Sequence, residues 1–250
     1  MAWRDILVRY KQTVIGVLWS VLRPLLTIFV MVFIGWLFDS NVPEGVPRVL
    51  LVCAATLPWQ FFSSSFSESS NSLIANSNLL TKVYFPRLIV PASTIIVCLI
   101  DFLISFVILV AFMIYYQYMP TARILLLPCF LLLAIVTSMG TGLYIAALNV
   151  KYRDFRYLIP FIVQFGLYVS PIAFSSSDIY NNPKIPEFLK TIYSLNPMVG
   201  VIDGFRWCIL GGDTGINVPG FVVSILISFF FLFIGVWYFR RMEKNFADII

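Results

Sequence analysis

The stretch LIVPASTIIVCLIDFLISFVILVAFMIYYQY, residues 88–118, decides the kind of protein that this sequence encodes. It is apolar almost throughout and long enough to cross the ~30 Å hydrocarbon core of a bilayer as a helix. Backbone groups in lipid must be hydrogen-bonded within the segment, and no period-2 alternation favours strands. Similar runs recur at about 22–38, 46–66, 124–149, 157–174 and 219–239. The sequence therefore predicts an all-α polytopic membrane protein, with six transmembrane helices in a single domain over residues 1–250.

The composition of the chain agrees with a membrane location and argues against several kinds of chemistry. Of its 250 residues, 60% are hydrophobic and 12% are charged, against ~45–50% and ~25% in soluble domains. The chain has no histidine, its 4 cysteines form no Cys-x-x-Cys pair, and no phosphate-binding loop occurs. Histidine-based catalysis, a zinc centre and a nucleotide site are therefore not expected. We predict no catalytic residue, no metal and no cofactor bound by this chain.

The lysines and arginines indicate how the chain is threaded, because cytoplasmic segments of membrane proteins are rich in them. Six crossings put both termini on one side, which we place in the cytoplasm. The inside segments then hold Arg4, Arg9, Lys11, Arg23, Lys82, Arg87, Lys151, Arg153, Arg156, Arg240, Arg241 and Lys244. The outside segments hold Arg48, Arg123, Lys184, Lys190 and Arg206. The net charge of +5 is thus a topology signal, and no nucleic-acid partner is expected.

An amphipathic segment precedes the first apolar run. Between about residues 3 and 20, apolar residues recur at helical spacing and the charged residues fall mostly off that stripe. The pattern predicts a helix lying along the inner leaflet. The pattern alone leaves two interpretations open, a plain membrane anchor and a cuff that docks a cytoplasmic partner. The composition of the loop at 67–87 favours a solvated connector, and a short, weakly amphipathic helix is the alternative.

The outside segment at 175–219 is long for a connector between membrane helices. It contains two apolar helical stretches, 185–195 and 198–210, separated by Asn196-Pro197. Each stretch is too short to cross a bilayer and has the length expected of re-entrant or interfacial pieces. We therefore predict a re-entrant region at about 183–212, which forms a plug or rim at an outer pore mouth.

Asp101 is the one carboxylate near the middle of an apolar run, and such residues are functional candidates by default. No lysine, arginine or histidine within the membrane is evident opposite it, so we expect a protonated group or a hydrogen bond to a neighbouring helix. Aromatic residues make up 17% of the chain. A subset of them lining a passage would let a glycan slide, but the pattern does not separate those rings from rings that face lipid.

Several blocks of the sequence resemble the permease subunit of type-2 ABC exporters, which move lipid-linked polysaccharides. The blocks are RDILVRYKQT (4–13), GVLW (16–19), LPWQFF (57–62), NSNLLTKVYFPR (76–87), ALNVKYRD (147–154), SP (170–171), LNP (195–197) and GFR (204–206). They are spread over most of the chain and are most similar to those of O-antigen and capsule exporters.

The resemblance implies a homodimer whose first and fifth spans wall a channel in the bacterial inner membrane, driven by two separate ATPase subunits. ATP and Mg would be bound by the ATPase subunits. The residues expected to contact the ATPase are Arg4, Arg9, Lys11, Asn78, Lys82, Arg153 and Asp154. The residues expected to line the polysaccharide path are Phe29, Phe33, Trp36, Phe165 and Tyr168.

The alternatives concern the cargo and the class of protein. A teichoic acid or capsule exporter is the nearest alternative to an O-antigen exporter. A secondary transporter would be built from internal repeats, and none is convincing here. An intramembrane lipid-modifying enzyme needs clustered polar catalytic residues, for which Tyr152, Arg153 and Asp154 are the only nearby candidates.

Overall fold

The computed structural model describes residues 2–11, 16–37, 42–43, 45–77, 85–152, 154–211, 217–243 and 246. Among these residues there are ten α-helices and no strand, which confirms the all-α class. The helices are α1 (Ala2–Lys11), α2 (Gly16–Leu37), α3 (Arg48–Ala75), α4 (Ile89–Tyr115), α5 (Leu127–Lys151), α6 (Phe155–Val169), α7 (Ser176–Tyr180), α8 (Glu187–Ser194), α9 (Pro197–Leu210) and α10 (Val218–Glu243). A 3-10 helix, Ala122–Leu126, leads directly into α5.

Five helices are long and apolar enough to cross a membrane, namely α2, α3, α4, α5 with its 3-10 turn, and α10. The predicted span at 157–174 corresponds to α6, which has only 15 residues and is about 22 Å long. Helix α6 ends at Val169 because Pro171 forces the residue before it, Ser170, into an extended conformation. The chain nevertheless passes along α6 from the end of the bundle that holds Asp154 to the opposite end.

The predicted interface helix at 3–20 is divided differently in the structure. Helix α1 ends at Lys11, and α2 begins at Gly16, ahead of the expected start of the first span at residue 22. Leu18 belongs to the stripe of the amphipathic pattern but already lies within α2, which continues into the apolar run. The pattern therefore does not mark the boundary between the predicted interface helix and the first spanning helix.

Helix α3 extends well beyond its predicted end at residue 66 and takes up the first part of the predicted loop at 67–87. Its last turns are rich in serine, a residue that ordinarily competes with helical hydrogen bonding. Two of the hydroxyls bond back to the helix itself, Ser63 Oγ to the Gln60 carbonyl at 3.1 Å and Ser72 Oγ to the Ser69 carbonyl at 2.7 Å. The buried hydroxyls of Ser65, Ser69 and Ser70 have no hydrogen-bond partner among the described residues. The small serine side chains allow close contact with other helices, as where a Cβ at Gly142 of α5 would overlap Ser69.

Helix α3 is the centre of the bundle. It packs against α2, α4, α5, α6 and α9, and 83% of an 18-residue apolar stretch of this helix is buried inside the protein. In the other four long helices, between 22% and 33% of the corresponding stretch is buried. The bundle is therefore built around α3, and its other helices keep one broad face on the outside.

Helices α5 and α10 form the closest helix pair. Gly140 of α5 and Gly235 of α10 face each other so tightly that a Cβ atom at either position would overlap backbone atoms of the opposite helix. The Thr137 and Ser228 hydroxyl oxygens lie 2.8 Å apart across the same contact. Small residues that admit close backbone approach are the usual basis of helix association in membranes.

The two short helices predicted in the last outside segment are present, as α8 and α9. Asn196 separates them and caps α9, because its side-chain oxygen accepts a hydrogen bond from the Met198 amide at 3.0 Å. Gly211 ends α9 with a φ of 60°, a conformation that glycine adopts without strain. Helix α9 is largely buried against α3, α5 and α10, whereas α8 exposes Phe188. The position of this pair relative to a membrane stays a prediction.

Candidate functional site

The predicted path residues of α2 lie together on its outer face. Phe29, Phe33 and Trp36 are 72%, 54% and 68% exposed. The opposite face of the helix is turned into the bundle, where Ile28 and Met31 are buried. The three rings are spaced at i, i+4 and i+7, which places them on one side of a helix. The spacing explains why the three rings share a face, and the packing of α2 on the bundle leaves that face exposed.

The predicted path residues of α6 are also exposed. Phe165 and Tyr168 are 59% and 60% exposed, and Phe161, 63% exposed, stacks on Phe165 with ring centroids 5.9 Å apart. The inner face of α6 fits closely on the central helix, because a Cβ at Gly166 would overlap the Trp59 ring of α3. The structure therefore adds Phe161 to the aromatic residues of this surface.

Helices α2 and α6 both pack on α3, so their aromatic faces flank the central helix on the outside of the bundle. Among the described residues, no ring of α2 contacts a ring of α6. The exposed face of α6 also carries Gln164 and Tyr157 among its phenylalanines. By contrast, Phe229, Phe230 and Phe233 lie on an exposed face of α10 that is apolar over that part of the helix. The exposed faces of α6 and α10 are both rich in aromatic residues, and they differ in that the face of α6 also carries polar groups.

The predicted ATPase contacts are only partly within the described residues. Arg4, Arg9 and Lys11 belong to α1, but their side chains lie outside the description. Asn78, Lys82 and Arg153 lie outside the described residues altogether. Asp154 is exposed at the start of α6. The contact role of all seven residues stays a prediction.

One end of the bundle nevertheless collects the segments predicted to face the cytoplasm. The Asn149 side chain, near the end of α5, donates to the Ser70 carbonyl in the last part of α3 at 3.1 Å. The Arg87 amide, just before α4, donates to Glu243 Oε1 at the end of α10 at 3.2 Å. Helix α1 packs on α4 and α2. The chain connections in this region therefore share one end of the molecule with Asp154.

A cavity of about 300 Å³ marks the place where α1 meets the bundle. It is lined by Asp5 of α1, by Glu68, Ser72 and Asn76 at the end of α3, and by Thr94 of α4. The cavity thus brings a polar group of α1 together with polar groups of the central helix and of α4.

The opposite end of the bundle is held by Arg206 of α9, which is 3% exposed. Its guanidinium donates to the carbonyls of Phe174 at 2.8 Å, Ile172 at 2.9 Å and Leu51 at 3.3 Å. The sequence interpretation counted Arg206 among the outside charges, but the structure makes it an internal clamp between α9, α3 and the chain that follows α6. The sequence around Arg206 does not predict these three carbonyl partners, because they lie far from it along the chain.

Asp203 lies one turn before Arg206 and accepts a hydrogen bond from Ser176 Oγ at 2.6 Å. Burial raises the pKa of the Asp203 carboxyl, and the Ser176 hydrogen bond and the Arg206 charge oppose that rise. Burial likewise lowers the pKa of Arg206 and raises the pKa of the nearby Tyr193 phenol. These groups fix the arrangement of α7, α8 and α9 and include no exposed reactive group.

Asp101 is hydrogen-bonded, as expected. Ser20 Oγ of α2 donates to Asp101 Oδ1 at 3.1 Å, which confirms a bond to a neighbouring helix. Arg23, which the sequence places at the start of the first span and counts with the inside charges, lines the same cavity as Asp101.

Comparison with known proteins places these features in a family. Over 249 residues the chain is 27% identical to the O-antigen export system permease protein RfbA of Klebsiella pneumoniae, covering 99% of this chain and 92% of that protein. It is 24% identical to the polysialic acid transport protein KpsM of Escherichia coli, covering 96% and 91%. A third relative, RfbA of Myxococcus xanthus, is 26% identical over 204 residues. Residues 1–210 match the ABC-2 type transporter family, so this multi-pass membrane protein belongs to that family.

Proposed function

We propose that this chain is the transmembrane subunit of an ATP-driven ABC exporter that moves lipid-linked polysaccharide across the bacterial inner membrane. The observation that carries the proposal is the nearly complete coverage, 99% and 96% of the chain, by relatives named for O-antigen export and polysialic acid transport. An O-antigen-like glycan is the proposed cargo, with capsule polymers and teichoic acid as the alternatives.

The passage for the glycan is proposed to lie between two copies of the chain. Helix α3 fills the centre of the bundle, which leaves no room for a polymer to pass through a single copy. A passage must therefore run along the outside of the bundle and be closed by a second bundle. The faces of α2 and α6 suit that wall, because large exposed apolar surfaces rimmed by polar groups mark interaction sites.

The chemistry of the α6 face supports a glycan rather than lipid as its neighbour. Phe161 and Phe165 present flat apolar rings that can lie against the C–H faces of sugars. Gln164 and Tyr168 on the same helix supply hydrogen-bonding groups for hydroxyls. Tyrosine is suited to such surfaces because it combines an apolar ring with a polar tip. Many shallow contacts of this kind would hold a polymer without trapping it.

The driving force is proposed to reach the bundle through α1, the segment at 67–87 and the residues Arg153 and Asp154. Two ATPase subunits would bind ATP and Mg, and this chain would bind neither. Both termini would then be cytoplasmic, on the same side as these segments. Helix α3 offers a direct mechanical link, since it runs from the cavity beside α1 to the clamp at Leu51.

Charge reversal at the exposed Asp154 tests this proposal. The full chain is purified from its bacterial host, and we expect it to copurify with a separate ATPase that alone hydrolyses ATP. Asp154→Lys is expected to lower export several-fold relative to ATP hydrolysis, whereas Lys184→Glu, at the opposite end of the molecule, leaves both unchanged. Stable glycan export by the lone chain without ATP, or full export by Asp154→Lys, would contradict the proposal.

A further inference from the structure

A cavity of about 290 Å³, with a mostly apolar lining and a few polar groups, lies between α2, α3 and α4. Its polar lining includes Arg23 of α2, Gln60 of α3 and Asp101 of α4, and Trp19, Phe61 and Phe102 contribute aromatic surface. The cavity is separate from the outward ring faces at Phe29 and Phe165. It also lies apart from the pocket beside α1, which has a different lining.

Two polar groups of the cavity lie near the middle of long apolar helices. Asp101 and Gln60 are each twelve residues from the first residue of their helices, or about 18 Å along helices of roughly 40 Å. Polar groups at such a depth are costly unless they pair or serve a ligand. Head groups of bulk lipids stay at the membrane surface, outside the ~30 Å hydrocarbon core.

The amide nitrogen of Gln60 provides independent evidence for a ligand. The atom is buried and has no hydrogen-bond partner within the part of the chain that the structure describes. A buried donor without an acceptor is unfavourable, and most such groups in proteins have a partner. An oxygen atom of a bound molecule in the cavity would satisfy it.

The mixture of groups points to a neutral ligand with many hydroxyls. A sugar hydroxyl can accept a hydrogen bond from Arg23 or Gln60 and donate one to Asp101. The rings of Trp19 and Phe61 offer an apolar surface of the kind that sugar C–H groups contact. A phosphate would suit Arg23 but would be repelled by a carboxylate in the same small space.

We propose that this cavity binds one neutral sugar ring of the exported glycan, an inference that rests on the proposed function. The volume is at the lower limit of the ~300–1,000 Å³ usual for small-molecule sites, so it fits one ring and not a chain. Arg23 and Trp19 are exposed at its mouth, on the helix that also carries Phe29 and Phe33. The cavity is therefore a recognition point beside the aromatic surface.

Saturation-transfer NMR on the full chain in nanodiscs tests this site without any ATPase or export. The neutral probes are the methyl β-D-pyranosides of glucose, galactose and mannose, and the charged probes are methyl phosphate and phosphocholine. We expect saturable binding of at least one glycoside. Gln60→Leu and Arg23→Gln should each weaken that binding at least threefold, whereas Arg240→Gln, at an exposed arginine near the end of α10, should leave it unchanged.

Arg23 is exposed, so its replacement keeps the test informative even if Gln60→Leu disturbs folding. Three results would overturn the proposal: no binding of any of the three glycosides, glycoside binding that survives Arg23→Gln, or Arg23-dependent binding of a charged probe in their place. A failure here would leave copurification with an ATPase intact, so the two proposals fail separately.

Discussion

Arg206 holds together the end of the bundle that lies opposite Asp154. It is a buried cation that donates hydrogen bonds to three backbone carbonyls, so each bond ties a stretch of chain to α9. An arginine suits this position because its planar fork presents several donors in fixed directions. Lysine offers a single ammonium, which cannot reach three separated carbonyls in the same way.

We expect Arg206→Met to lower the free energy of unfolding by roughly 3 kcal/mol or more, because three buried carbonyls lose a charged donor. The measurement is the thermal unfolding midpoint of the purified chain in detergent, followed by tryptophan fluorescence. Arg240→Met, at an exposed arginine near the end of α10, is the matched control and should leave the midpoint unchanged. Equal midpoints for the two variants would show that Arg206 is not a clamp.

The residues also show where sequence reasoning reaches its limit. Helical spacing places Phe29 on one face with Phe33, which is local information. The exposure of that face, the partners of Arg206 and the neighbour of Asp101 depend on contacts between distant segments, and a single sequence does not contain them. The start of α2 at Gly16 was missed because helix ends are weakly marked by hydropathy.

At the scale of elements, the contact between α5 and α10 is the most sensitive to side-chain size. Gly140 and Gly235 leave no space for even a methyl group between the two backbones. Hydrophobic attraction between helices is weak in lipid, so this pair is held by close packing and by the Thr137–Ser228 contact. Any enlargement must push the helices apart.

Gly235→Leu is therefore expected to destabilise the protein by more than the ~1–3 kcal/mol typical of overpacking, since rigid backbone stands in the way. The yield of folded protein in the membrane and its unfolding midpoint after solubilisation would both fall. Ala111→Leu, at an exposed position of α4, makes the same kind of enlargement on an outer face and should be tolerated. If both variants accumulate and unfold alike, the close packing described for α5 and α10 is not what holds them.

The long helices could be predicted because long apolar runs and short interrupted ones differ plainly in the sequence, whereas the short helix α7 was not predicted. Asn196-Pro197 correctly separated α8 from α9. The end of α3 was missed because its serines lower the hydropathy although they lie within the helix. The early end of α6 was missed for a different reason, since the proline that stops it lies inside an apolar context.

At the scale of the whole molecule, the burial of α3 determines which surfaces remain for function. The centre of the bundle is solid, and the faces of α2 and α6 carry the aromatic and polar groups that suit a glycan. The face of α10 carries phenylalanines without polar neighbours over its middle and suits contact with lipid. The two aromatic faces should therefore respond differently to the same substitution.

Replacing both Phe165 and Tyr168 by alanine is expected to reduce glycan export roughly tenfold, because aromatic contacts are worth about 0.5–1.5 kcal/mol each. Export is measured as the glycan that reaches the cell surface, at matched levels of the permease in the membrane. Phe229→Ala with Phe230→Ala, on α10, removes two exposed rings from the other face and should leave export unchanged. An equal loss in both double variants would assign the effect to general membrane packing.

The burial of α3 also has a consequence for how the protein is made. Of the five long helices it is the least hydropathic, yet it ends up with the least contact with lipid. During synthesis it emerges before most of the helices that later enclose it, so on its own it partitions into the bilayer more weakly than they do. Its retention in the membrane then depends on segments still to be translated. In a chain truncated after α3, these segments are missing, and α3 would be held in the membrane less firmly than in the complete chain.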